Sequence, residues 1–347
     1  MKRRTFLQSG LLLAGLNCTN HSTAAHAQEK RRGNPTAHNR VPVSGKLTRG
    51  VQPFDGVMLH YLEQIGCSAA TLAIAFRGKL VHSRGYGWRD EARTIATEPE
   101  TMIGIASCEK PLTAASIHKL AFRKQIDLDA SVFRLLEIQP QGAVVDDRIW
   151  QVTVRNLLEH KSGWQGDPFA RALDESRRKS NGNPLTMESL LGQLMTQQLS
   201  DAPGTRYEYC NFCYDTLRHI VSHVSGKSPI AYVRTQLFRP AMPKDLVGVA
   251  DPNAPTAVGD PPLVWNNDGG PVSASSPALC TFMTHFWGSG SPRDRSNQTW
   301  AMYGSLPGST AMMVWRSDGI DIAAIFNGRG KPTHDQIKGD LELMIGK

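Results

Sequence analysis

The chain offers no apolar run long enough to cross a bilayer: Leu11 to Leu16, the apolar stretch near its start, falls far short of the ~20 residues a spanning helix needs. It also lacks the basic and aromatic clustering that grips nucleic acid. Lysine and arginine outnumber aspartate and glutamate 39 to 31, but the excess is spread along the sequence and reads as a solvated surface. Cysteine is scarce, with six among 347 residues. Cys210-x-x-Cys213 has no second pair and no histidine at zinc spacing, which argues against a metal or redox site. His219 and His223 lie four apart on an expected helix but have no third ligand near them in sequence. Neither a metal nor another cofactor is therefore expected. No internal repeat is visible. With 40% hydrophobic and 20% charged residues, the composition is that of an ordinary globular protein and excludes a disordered one.

What is present begins with an export signal. Lys2-Arg3-Arg4-Thr5-Phe6-Leu7 precedes the apolar run, and Ala25-His26-Ala27 supplies a small-residue cleavage site, so residues 1–27 are expected to direct export. The paired arginines before Phe-Leu suggest the twin-arginine route, and hence a periplasmic or secreted protein. A lipoprotein reading through Cys18 is weaker, because Asn17 stands where a small residue is usual. Removing residues 1–27 takes away Lys2, Arg3 and Arg4 and leaves 36 basic against 31 acidic residues, a net charge of +5. Residues 28–50, polar and rich in Arg, Asn, Pro and Gly, are expected to be a disordered leader.

Chemistry is concentrated at Ser107-Cys108-Glu109-Lys110. Positions i and i+3 share a helix face, so the Lys110 ammonium can reach the Ser107 hydroxyl, a weak nucleophile until a neighbouring base takes its proton. Taken alone, the four residues fit a helix N-cap with an exposed lysine equally well. Two later segments add weight. Pro203-Gly204 makes a turn before Tyr209-Cys210-Asn211, and Met302-Tyr303-Gly304-Ser305 leads into two apolar runs, Ala311 to Trp315 and Ile320 to Phe326, separated by the turn Ser317-Asp318-Gly319.

Hydrophobic periodicity predicts a helix over about 53–65, then strands over 68–76 and 79–86 joined by Arg77-Gly78. Helices are predicted over 112–123, 154–158, 187–195, 215–224, 229–237 and 277–286, strands again from about 300, and a closing helix over 335–345. Asp251 to Pro262 reads as a Pro-rich surface loop. Strands at both ends with helices between them imply a mixed α/β fold whose sheet is assembled from both ends of the chain.

Serine, tyrosine and late strand occur in the order found in the serine β-lactamase and penicillin-binding protein superfamily, and the chain most resembles its class C β-lactamase, esterase and D-alanyl-D-alanine peptidase branch. Ala73 to Gly87 resembles that family's opening hairpin, and Val152 to Gly163, containing Leu157-Leu158-Glu159-His160-Lys161-Ser162-Gly163, resembles its "T-I-R-x-L-L-x-H-T-S-G" stretch. The resemblance covers roughly residues 52–330. It implies a β-lactamase/transpeptidase-like fold, an antiparallel sheet flanked by helices with a large helical insertion: an α/β part over 51–106 and 296–347, a helical part over 107–295, and a site in the cleft between them.

The resemblance further implies that Ser107 is the nucleophile of an acyl-enzyme, that Lys110 and Tyr209 together move its proton, and that Asn211 fixes Lys110 or the substrate. Lys and Tyr ordinarily titrate near ~10.4 and ~10, so a base at neutral pH requires one of them to be depressed; which one remains open. The backbone N–H groups of Ser107 and Ser305 would form the oxyanion hole, with Gly304 leaving room for substrate. Met302-Tyr303-Gly304 departs from the family's Lys-Thr-Gly or His-x-Gly and lacks the group that meets a substrate carboxylate, although Arg316 or Arg329 could supply one. Glu109, replacing the usual Ser or Thr, is expected to point away from Ser107 as a stabilising first-turn carboxylate. Cys108 and Cys210 follow the nucleophile and the tyrosine, and would converge with them to within disulfide range or else remain two small buried thiols.

The expected substrate is a small-molecule ester or amide. The alternatives are a D,D-peptidase or β-lactamase acting on cell-wall peptides or β-lactams, and a penicillin-binding-like protein that acylates without turning over.

Overall fold

Residues 77 and 78 both adopt positive φ, +49° at Arg77 and +78° at Gly78, the signature of a two-residue type I′ hairpin turn. They join β2 (Ala69–Phe76) to β3 (Lys79–Gly87). In this computed structural model, residues 41–46, 52–168, 186–238, 247–249, 272–294 and 298–345 are described, the backbone alone at 247–249. The expected export signal at 1–27 and the Pro-rich loop at 251–262 lie outside them.

Two further hairpins close the chain. Pro307-Gly308, with Gly308 at φ +76°, joins β7 (Trp300–Leu306) to β8 (Ser309–Trp315), and the Asp318-Gly319 turn leads into β9 (Ile320–Phe326). β9 lies antiparallel to β2, with Ala70 opposite Phe326 and Phe76 opposite Ile320. With β1 (Val43–Ser44) at one edge, the sheet thus runs β1-β3-β2-β9-β8-β7, antiparallel throughout and assembled from both ends of the sequence as expected. This edge strand pairs with Tyr86 and Gly85. These two residues fall inside the segment expected to be a leader, and two residues are too few to show a period of two. A smaller sheet joins β4 (Ile103–Gly104), β6 (Val272–Ala274) and β5 (Val247–Val249).

β8 is buried at every position, because helices cover both faces of the main sheet. On one face lie α1 (Gln52–Ile65) and the closing helix (His334–Ile345), which bring Phe54, Met58, Ile337 and Leu341 against Leu72, Tyr86 and Val314. On the other, α2 (Lys110–Phe122) and a helix over Ser276–His285 bury Leu112, Ala115, Leu279 and Phe282 against Ala73, Met313 and Trp315.

α2 also faces a second core. Its Ala114, Ile117 and Leu120 pack with α3 (Val132–Leu135), α4 (Val154–Leu158), α5 (Met187–Leu194) and α6 (Asn211–Ser225). A helix apolar on all sides is a buried helix, and α2 is the one that joins the sheet to the helical cluster. In chain order α7 (Pro229–Tyr232) follows, then a π-turn over Val233–Leu237, α8 (Ser276–His285) and α9 (His334–Ile345).

Under α1, alternate residues of β3 bring three polar side chains into the core. Tyr86 donates to Asp55 Oδ1 at 2.8 Å, and the Arg84 guanidinium lies 3.5 Å from the same carboxylate. His82 sits beside the Phe54 ring at 5.9 Å with neither ring nitrogen partnered among the described residues. Burial pushes its imidazole down to about 4, so the folded state refuses a proton that the unfolded chain accepts near 6.5. Its contribution to stability is therefore fully present above pH 6.5 and is lost as pH falls towards 4. Replacing His82 by leucine should flatten the loss of stability between pH 7 and pH 5, as measured by urea unfolding at both pH values. An unchanged difference between the two would contradict this reading.

Candidate active site

The turn that carries Ser107 begins at Ala106, a non-glycine residue held at φ +47°, where an L side chain is strained. It is held from both sides: Ile105 N–H donates to Val272 O at 3.0 Å, and Ser309 Oγ donates to Gly104 O. Ala106–Glu109 then form a single 3₁₀ turn running directly into α2 at Lys110. In a 3₁₀ turn, side chains at i and i+3 eclipse one another. Lys110, only 5% exposed, accordingly places Nζ 3.2 Å from Ser107 Oγ.

Tyr209 reaches the same oxygen from another part of the chain, donating its hydroxyl to Ser107 Oγ at 3.0 Å. Lys110 Nζ donates in addition to Asn211 Oδ1 at 3.0 Å. The four residues singled out from Ser-x-x-Lys and Tyr-x-Asn therefore meet. Lys110 also lies 5.3 Å from the Tyr209 ring centroid and 5.6 Å from that of Tyr214, where a cation is favoured.

His160 holds the tyrosine loop, a role the sequence reading missed. Its ring packs against those of Tyr209 and Tyr214, with centroids 4.7 and 4.9 Å away. Its backbone carbonyl accepts from Glu208 N–H at 2.8 Å, and its Nδ1 accepts from Cys210 N–H at 3.1 Å. Accepting at Nδ1 requires the neutral ring, and burial, reinforced by the Lys110 charge, pushes the imidazole down to about 4. The only sequence signal was its place in the Leu157 to Gly163 stretch. Cys210 then caps α6, its Sγ accepting from Cys213 N–H at 3.2 Å, and the helix starts at Asn211, four residues before the predicted start.

β7 approaches the Ser107 turn through Gly304. A Cβ at that position would stand 2.1 Å from Ile105 O and 3.1 Å from the nitrogens of Ser107 and Cys108, so only glycine permits this separation. Ser305 follows directly. Met302 lies on the same face as Gly304 and packs, half-buried, against the sheet core beside α2. Tyr303 points the other way: its hydroxyl donates to Asp335 Oδ1 at 2.7 Å and its ring stacks on His334. Its side chain thus stands apart from the Ser107 face on which substrate was expected. Arg316, a candidate partner for a substrate carboxylate, is occupied by Asp318 and Glu342, at 2.7 and 3.0 Å. Arg329 is exposed.

Glu109 does more than stabilise a first turn. It is buried, accepts from Thr113 Oγ1 at 2.7 Å, and sits 3.8 Å from Lys110 Nζ and 3.7 Å from an Arg218 guanidinium nitrogen. Arg218 in turn pairs with Asp215, whose carboxyl burial pushes up. Packing of α6 against α2 brings in Arg218, a cation 109 residues away, and with it the carboxylate can be buried. Cys108 and Cys210 are free thiols, as are Cys67, Cys213 and Cys280. Cys108 Sγ donates to Met302 O at 3.5 Å while Cys210 caps α6, so the two sulfurs serve different partners. His219 pairs with Glu188 at 3.0 Å, and no group of three metal-binding side chains occurs among the described residues.

A family model described as Beta-lactamase matches residues 54–335. The putative penicillin-binding protein PbpX of Bacillus subtilis (strain 168) is 28% identical over 182 residues, 52% of this chain and 41% of that protein. The chain spans well under half the length of the curated relatives it matches. Among solved structures, the octameric penicillin-binding protein homologue from Pyrococcus abyssi matches at TM-score 0.60 and 22% identity, covering 86% of this chain and 78% of that one. EstCE1, a hydrolase with promiscuous acyltransferase activity, matches at TM-score 0.59 and 14% identity, covering 86% and 98%. At these identities the structural likeness is one of fold.

Exchanging Glu109 for glutamine keeps its size but leaves the buried Lys110 and the half-buried Arg218 facing an uncharged amide. Breaking a buried pair from one side costs about 3 kcal/mol, and denaturant unfolding at pH 7 should show a loss of that order. A change under about 0.5 kcal/mol, typical of an exposed site, would show that the charge is not needed there.

Proposed function

The chain belongs to the beta-lactamase family, and from that premise we propose that it is a serine hydrolase which forms an acyl-enzyme on Ser107 and prefers neutral esters or amides. The observation that carries this reading is the convergence of Lys110 Nζ and Tyr209 hydroxyl on one oxygen, at 3.2 and 3.0 Å. Whichever of the two has lost its proton is within reach to take that of Ser107 as Oγ attacks the substrate carbonyl. The same proton then passes to the departing alcohol or amine. Water, deprotonated by the same route, attacks the acyl carbon and releases the acid and the free serine. The tetrahedral oxyanion in each half-reaction is met by the N–H groups of Ser107 and Ser305. Asn211 keeps the Lys110 ammonium aimed at the serine.

Preference for neutral substrates follows from Met302. A thioether offers no charge and no strong donor, so a carboxylate arriving there loses water without gaining a charge-assisted hydrogen bond. Arg316 is already occupied by two carboxylates. The export signal read in residues 1–27 would place this hydrolysis outside the cytoplasm, among cell-wall or extracellular substrates.

The test is a panel of p-nitrophenyl esters and penicillins on purified protein. Short neutral esters should turn over faster than penicillins. Lys110→Ala and Tyr209→Phe should each lower kcat by ~100-fold or more, the scale of a lost general base. Met302→Lys should shift the kcat/KM ratio towards carboxylate-bearing substrates by ~10-fold, since hydrogen bonds to charged groups contribute ~1.5–3 kcal/mol. Penicillin hydrolysis as fast as ester hydrolysis, with a ratio unmoved by Met302→Lys, would favour the β-lactamase or D,D-peptidase alternative. A stable penicillin adduct without turnover of either class would favour the binding protein.

A further inference from the structure

Gly304 and Ser305 share one peptide plane. In a trans peptide the carbonyl of the first residue and the N–H of the second point in opposite directions, so a group that holds the Gly304 oxygen also fixes the line along which Ser305 N–H is aimed. His334 Nε2 lies 3.0 Å from Gly304 O. A carbonyl oxygen can only accept, so Nε2 carries the proton and donates it. The His334 ring is itself fixed, stacked on Tyr303 with centroids 4.9 Å apart and planes 16° from parallel. Tyr303 in turn donates to Asp335 Oδ1 at 2.7 Å. Consecutive residues of β7 are thereby tied to consecutive residues at the start of α9. The tie acts from the face opposite Ser107, while Gly304 presses against the nucleophile turn on the other.

We propose that His334 is a positioning residue for acylation: by donating to the Gly304 carbonyl it orients the Gly304–Ser305 amide and strengthens Ser305 N–H as a donor to the oxyanion. An amide whose carbonyl accepts a hydrogen bond is polarised, and its N–H becomes the better donor. The benefit appears only when charge develops on the substrate oxygen, so it is felt in kcat more than in KM. His334 touches neither substrate nor Ser107; it acts through the backbone. The inference rests on the acyl-enzyme reading and on Ser305 as an oxyanion donor.

His334→Phe retains a ring against Tyr303 and removes the donor, whereas His334→Gln retains a side-chain N–H. Losing an oxyanion donor outright lowers kcat by ~10²–10³, so weakening one through its peptide should lower kcat by ~10-fold, with KM within about twofold. His334→Gln should recover most of that loss. Infrared spectroscopy of an acyl-enzyme trapped with a slowly hydrolysed ester supplies a readout that simple loosening of α9 would not give. The acyl C=O stretch should move to higher frequency in His334→Phe and return towards the wild-type value in His334→Gln. His334→Leu removes the same donor and must give the same shift, which keeps the test decisive if the phenylalanine variant misfolds. A wild-type kcat and an unmoved carbonyl stretch in folded protein lacking the donor would overturn the inference and leave the acyl-enzyme reading standing. A wild-type protein that no ester acylates would overturn both.

Discussion

A lysine ammonium buried to 5% exposure is the constraint around which this molecule is arranged. Removing such a charge from water costs several kcal/mol unless acceptors and counter-charges surround it. Lys110 finds Ser107 one turn back, Asn211 from the start of α6, and the Glu109 carboxylate beside it. None of these is sufficient alone, and together they require α6, the Ser107 turn and α2 to pack in one way. Because α2 is buried against both the sheet and the helical cluster, the position that satisfies Lys110 also brings the two cores together.

The same arrangement fixes where Ser107 lies. Ser107 is held by a strained turn from below, by Tyr209 from the loop before α6, and by the backbone of β7 pressed close through Gly304. His160 adds no group to the reacting atoms, yet its neutral ring supports Tyr209 and its Nδ1 anchors the residue that caps α6. Acidification that protonates His160 would remove that acceptor, so the tyrosine loop and the cap depend on one imidazole remaining uncharged.

Much of the fold could be read from residue patterns, and the reason is local. Two hairpins announced themselves through Arg77-Gly78 and Ser317-Asp318-Gly319, where the turn needs residues that tolerate positive φ. Long helices and strands carried clear periodicity, and Ser107, Lys110, Tyr209 and Asn211 came together as their motifs implied. Other features escaped because their cause lies far away in sequence. β1 and β4 are two residues long and show no period. α6 starts early because Cys210, a poor cap by statistics, is made one by His160. Glu109 read only as a stabilising first-turn carboxylate, and its partner Arg218 comes from 109 residues away. The face on which Tyr303 lies depends on the register of β7 against β8, which no motif encodes.

Acylation of Ser107 is the central claim, and locating the acyl group tests it most directly. Wild-type protein mixed with a p-nitrophenyl ester and quenched in acid within one turnover should gain the mass of one acyl group, and peptide mapping should place it on Ser107. Ser107→Ala should gain none and should release no p-nitrophenol above background. An adduct mapped to another residue, or one that persists in Ser107→Ala, would contradict the account.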